Sequence, residues 1–138
     1  MIVKTAVDAL KRAKIKGVRP SNVTADVVND ARELKETRIV VSEEDSAYTS
    51  IGDEWDEAGL YRTRLKIVVI CPIKAKAKAV ALTAAMIVQK QFESMRFSDG
   101  RFHGVEKDGK SVDRPTENKF ENHFAATRTL IVINTLEP

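Results

Sequence analysis

The 138-residue chain is 43% hydrophobic and 31% charged, with 23 basic and 20 acidic side chains and a net charge of +3. This length fits one domain with a core of its own, and the composition is that of a protein that stays in water. No run approaches the roughly 18 apolar residues of a membrane-spanning helix, and Met1-Ile-Val-Lys lacks the apolar stretch of a secretory signal.

The charge is segregated. Residues 1–20 sum to +5, 21–60 to −8, 61–96 to +7 and 97–138 to −1. Such blocks point to charge-complementary contact surfaces or salt-bridged faces, whereas a nucleic-acid binder would be basic more widely.

In chain order, Val3, Ala6, Val7 and Leu10 form a helical stripe over 2–14, closed by Gly17 and Pro20. After a turn at Ser21-Asn22, Val27, Val28, Ala31 and Leu34 predict a second helix over 25–35, with Thr24 as its cap and Asp26 near the positive end of its dipole. Residues 37–42 alternate as a strand, with Ile39 and Val41 opposed to Arg38 and Val40. The next segment, 43–57, carries Glu43, Glu44, Asp45, Asp53, Glu54, Asp56 and Glu57 around Gly52 and Trp55. It reads as an exposed loop or wide hairpin, because so many carboxylates cannot be buried unpaired. A divalent-cation site there would want the regular alternation and closing glutamate of a calcium loop, which the segment lacks.

Gly59 opens a long strand with two chemically different faces. Tyr61, Thr63, Leu65, Ile67, Val69 and Cys71 fall on one, while Arg62, Arg64 and Lys66 precede Val68 and Ile70 on the other. The single Cys71 therefore reads as a buried, inert thiol in a reducing compartment.

Pro72 stops the strand, and residues 76–95 follow as a long helix. Ala77, Ala81, Ala84, Ala85, Val88, Phe92 and Met95, widened by Val80 and Ile87, make the stripe of a helix lying on a sheet. Leu82 and Met86 miss that stripe and stand among Lys78, Gln89, Lys90 and Glu93, either as ordinary exposed apolar atoms or as part of an interface. A hairpin of 101–106 and 123–134 closes the chain, with the polar stretch 107–122 between its arms as a loop.

Nothing in the sequence assembles a catalytic centre. His103 and His123 have no ligand neighbour at zinc spacing, and nucleophile elbows and phosphate-cradling glycine loops are absent, so no cofactor and no enzymatic activity are expected. Glu117-Asn118-Lys119 matches half of a two-metal nuclease motif, but within the predicted loop. Lys11, Arg12, Lys14, Lys16 and Arg19, with the basic strand face, leave open a small nucleic-acid-binding domain; a metal-dependent nuclease on the acidic segment is a further alternative.

The order of elements, with Arg64-Leu-Lys-Ile-Val-Val-Ile entering the helix at 77–92, then Gly104, Asp113 and the last strand Arg128-Thr-Leu-Ile-Val-Ile-Asn, resembles the tail terminator (tail completion) proteins of long-tailed bacteriophages over about residues 1–136. The resemblance implies a structural virion component of the tail and neck, assembled in the host cytoplasm. It would be a ring, usually of six copies, that caps the tail tube, stops its polymerisation and meets the head's connector or neck proteins, while DNA passes through its channel without specific binding. The expected fold is α+β in a single domain: a mainly antiparallel sheet of about four strands, a long helix on one face and one or two N-terminal helices. Arg62, Arg64, Lys66, Leu82 and Met86 are the expected subunit or partner surface. The seven carboxylates of 43–57 are expected to face the channel or an axial partner.

Overall fold

The alternation of residues 60–71 is realised in β3 (Gly59–Cys71), the middle strand of a five-stranded sheet. The computed structural model describes residues 2–25, 36–50, 59–115 and 124–135. Around β3 the chain runs α1 (Ile2–Ala13), a 3-10 turn at Pro20–Asn22, β1 (Val23–Ala25), β2 (Arg38–Ser50), then α2 (Lys74–Ser98), β4 (Phe102–Pro115) and β5 (Phe124–Asn134). The sheet order is β1-β2-β3-β5-β4, with β1 parallel to β2 and all other neighbours antiparallel.

Both helices lie on one face of this sheet. Leu65, Ile67, Val69 and Cys71 of β3 are buried there with Ile39 and Val41 of β2 and Ala126, Leu130 and Val132 of β5. From α2 come Ala77, Val80, Ala81, Ala84, Ala85, Val88 and Phe92, the stripe its spacing predicts. The alanines bring the first half of the helix close to the strands, since the separation of packed elements follows the side chains at the contact. Toward its end Phe92 fills the gap against Phe102, ring centroids 5.4 Å apart and tilted by 46°. α1 buries Ile2, Ala6, Val7, Ala9 and Leu10 against α2, β1 and β2.

Buried polar groups tie the strand ends together. Asn134 donates from Nδ2 to Thr63 Oγ1 and to the Val132 carbonyl, both at 3.1 Å, and Thr37 Oγ1 lies 3.2 Å from Cys71 Sγ. The thiol is 1% exposed, as its place on the apolar face predicts.

The α+β class holds, with corrections in detail. The sheet has five strands, because Val23–Ala25 forms the short parallel β1. Thr24 is therefore a strand residue opposite Val40, and not a helix cap; the rest of the predicted second helix, 26–35, lies outside the described residues. α2 is longer than predicted at both ends.

Both expected loops are in part strand. β2 continues to Ser50, so Glu43 and Asp45 pair with Leu65 and Arg64 of β3, and Glu44 lies between them within the strand. A register shift between Glu43 and Asp45 breaks the two-residue alternation that signals a strand, which is why composition alone reads as a loop. β4 likewise runs through 107–115, interrupted by a register shift between Lys107 and Ser111. It is an outer strand, where a terminal Pro115 needs no ladder donor. Residues 51–58 and 116–123 lie outside the described residues.

Candidate assembly surfaces

The sheet face opposite the helices carries the basic row of β3. Arg62 pairs with Glu106 of β4, and Arg64 Nε lies 3.5 Å from Asp108 Oδ2. β5 separates these strands, and its register places Ile133 beside Arg62 and Ile131 beside Arg64. The ion pairs therefore reach over two isoleucines, and long side chains of this kind cover apolar surface with their stems while their charged ends stay wet. Ile131 and Ile133 are accordingly half-buried. Lys66, also half-buried, stands between Ser42 and Thr129 in the ladder. Two of the three predicted interface cations are thus engaged within the chain.

On the outer side of α2, Leu82 is 56% and Met86 45% exposed. The sequence reading missed Phe97, 88% exposed. At about 100° per residue Phe97 falls roughly 20° from Met86 around the helix, on the same stripe, and Leu82 to Phe97 spans about 22 Å. Ending the helix at residue 95 hid it. Ile73, 60% exposed, lies just before the first turn. The outer stripe of α2 thus presents three large side chains to solvent, while Ala77, Ala81, Ala84, Val88 and Phe92 of its inner stripe are buried.

Glu43 and Glu44 are exposed on β2, and Asp45 is the ladder partner of Arg64. Asp53, Glu54, Asp56 and Glu57 lie outside the described residues. The second feature missed by sequence reading is a cationic junction where α1 leaves off and α2 begins. Lys14, with φ 48°, and Gly17, with φ 83°, turn the chain back across α2. Glycine permits the left-handed backbone conformation at 17, and the flexible end of Lys76 lies over it. Two adjoining grooves share Gly17 and Lys76. One is also lined by Lys14, Lys16 and Ile87, the other by Arg19, Glu36 and Ile73. Arg19 Nε lies 3.1 Å from Glu36 Oε1, and Asn22 Nδ2 donates to Glu36 Oε2 at 2.8 Å.

α2 starts against the usual electrostatics. Its N-cap, Ile73, offers no side-chain acceptor, its first turn has no carboxylate, and Lys74, Lys76 and Lys78 crowd the positive end of the helix dipole. At the other end of α2 a tight turn is well satisfied. Arg101 donates from Nε to Asp99 Oδ1 at 2.9 Å, from Nη2 to Oδ2 at 2.6 Å and from its backbone N–H to Oδ1 at 3.1 Å. These bonds hold the Asp99 carboxyl at about 2 and raise the Arg101 guanidinium.

Among the described residues no group of three or more His, Cys, Asp or Glu is placed to hold a metal ion, and no helix is long and apolar enough to cross a membrane. His103 is exposed on β4; His123 and Glu117-Asn118-Lys119 lie outside the described residues.

No protein-family model matches this chain, and no curated protein matches it in sequence. Its fold, however, is that of a chain in the virion of a native gene transfer agent particle, with a TM-score of 0.55 over 94% of this chain and 90% of that one, at 17% identity.

Proposed function

We propose that this chain is a structural component of a phage-like virion, and specifically a tail-terminator-like protein that forms a ring on the tail tube, stops its polymerisation and joins tail to head. The observation that carries this reading is the fold shared, nearly end to end, with a chain of a gene transfer agent virion. The exposed stripe of α2 supports it, because Leu82, Met86 and Phe97 make an apolar surface of the kind that assembly covers. A closed ring needs two different complementary patches on each subunit. The outer stripe of α2 and the open sheet face with Arg62, Arg64 and Lys66 supply candidates. The role is architectural and needs no catalytic residue.

The test is the native mass of the purified protein, alone and mixed with the tail-tube protein of the same particle. A ring that binds tube ends and halts tube growth is expected. A protein that stays monomeric and leaves tube growth unchanged defeats the tail-terminator reading.

A further inference from the structure

Among the described residues, the large apolar side chains that stand well out of the surface all belong to α2 or to the residue before it: Ile73, Leu82, Met86 and Phe97. Leu82 and Met86 are part of a longer row. Ala75, Ala79, Leu82 and Met86 follow one another at steps of four, three and four residues, the spacing of a seam along which two helices pack. Ala75 and Ala79 are exposed, and their small side chains let a second backbone come close. Continued in the same rhythm, the row meets Gln89, whose Nε2 donates to Glu93 Oε1 at 3.0 Å, then Glu93 itself and Phe97. From Ala75 to Phe97 it is about 33 Å long.

The borders of this row are cationic. Lys78 and Lys90, both exposed, flank it on opposite sides, and the Arg96 guanidinium lies 6.0 Å from the centre of the Phe97 ring. α2 holds five cations and the single carboxylate Glu93, which Gln89 engages. A second copy of this chain fits such a surface poorly. Its described residues offer well-exposed large apolar side chains only through the same helix, and setting α2 against α2 doubles the charge imbalance. On the open sheet face, Glu106 and Asp108 are already paired with Arg62 and Arg64.

We propose that the row from Ala75 to Phe97 docks an amphipathic helix of a different protein, apolar along its contact stripe and acidic on its flanks. Paired helices choose partners through the charges that border the seam, so the acidic flanks meet Lys78 and Lys90. Midway, a polar side chain of the partner meets Gln89 and Glu93. The proposal goes beyond the tail-terminator reading, whose joint between tail and head needs a surface for a different protein.

The experiment uses the full chain and a labelled synthetic peptide of about three heptads, with leucine along the seam, one glutamine at its middle and glutamate on both flanks. A twin peptide carries lysine in place of glutamate. Fluorescence anisotropy measures binding at low and high salt. The glutamate peptide is expected to bind at least about tenfold more tightly than its twin, a preference that shrinks as salt rises. Leu82→Gln with Met86→Gln and Phe97→Gln is expected to weaken its binding by at least about tenfold. Lys78→Glu with Lys90→Glu is expected to reverse the preference between the twins. Circular dichroism and thermal unfolding establish that both variants are folded, as substitutions of exposed side chains should be.

No binding of the glutamate peptide to the wild type, equal affinity for the twins, or binding that survives the glutamine set overturns the proposal. Sedimentation of the wild type and adsorption to vesicles of anionic phospholipid run in parallel. Wild-type dimers that the glutamate peptide breaks apart make a second copy the occupant, and vesicle binding lost in both variants makes the row a membrane surface; either result overturns the proposal too. Tube capping without peptide binding leaves the tail-terminator reading standing while this contact falls, and peptide binding by a protein that leaves tube growth unchanged does the reverse.

Discussion

Arg64 on β3 and Asp108 on β4 form an ion pair, 3.5 Å from Nε to Oδ2, across the intervening strand β5. The Asp108 side chain is 13% exposed and that of Arg64 34%, so the pair is sheltered without being dry. It joins an outer strand to the middle of the sheet, over Ile131. A double-mutant cycle with Arg64→Ala and Asp108→Ala should give a coupling of about 0.2–1 kcal/mol, shrinking as salt is added. Denaturant unfolding measures it, and zero coupling at low salt would show that the pair contributes nothing to the sheet.

The two faces of α2 should respond differently to substitution. Phe92 is fully buried against Phe102, and Phe92→Ala should destabilise the subunit by about 3–5 kcal/mol. Leu82→Gln with Met86→Gln should leave unfolding of the isolated subunit within about 0.5 kcal/mol of wild type and shift any assembly toward monomer. A large loss of monomer stability would instead place the pair in the subunit's own core.

The start of α2 is open to improvement. Ile73→Asp supplies the missing N-cap acceptor and should stabilise the subunit by about 1 kcal/mol, with a further 0.3–1 kcal/mol or so from Lys74→Glu in the first turn. Both are read as increases in Tm. If association weakens as Tm rises, the cations at this end are retained for contact and not for folding.

The Asp99–Arg101 turn sets a pH dependence. Hydrogen bonds from the Arg101 side chain, then from its backbone N–H, lower the Asp99 carboxyl from 3.8 to about 2. A carboxyl whose pKa falls on folding binds fewer protons in the native state. Its contribution is therefore fully present above pH 3.8 and disappears as pH drops toward 2. Carboxyl-detected NMR titration should show the depressed midpoint, and Asp99→Asn should flatten the stability profile across that window; a midpoint near the ordinary value would refute the assignment.

Much of the core was legible because burial leaves a period. The faces of β3 and the Ala77 to Phe92 stripe follow from side-chain geometry along a strand and a helix, and both are realised. The lone Cys71 fell on the apolar face for the same reason. The outer strands were not legible in full. Glu43 to Ser50 and Lys107 to Pro115 are polar and each contains or adjoins a register shift, so neither hydrophobicity nor alternation marks them. Their backbone groups are held by neighbours distant in sequence, and a local pattern does not record those partners.

The candidate surfaces divide in the same way. Leu82 and Met86 could be named from the sequence because a helix wheel needs only positions within one element. Phe97 followed only once α2 was seen to reach Ser98. The pairing of Arg62 with Glu106, and of Arg64 with Asp108, depends on β5 being inserted between β3 and β4, an order set by long-range strand pairing. The cationic junction arises because α1 ends where α2 begins, bringing Lys14 and Lys16 beside Lys76, some sixty residues away. The sequence by itself determined the buried faces of β3 and α2 and how much charge each segment carries, since both follow from local composition and period. Only the tertiary structure decided which charges stand together, because that depends on how the chain returns past itself.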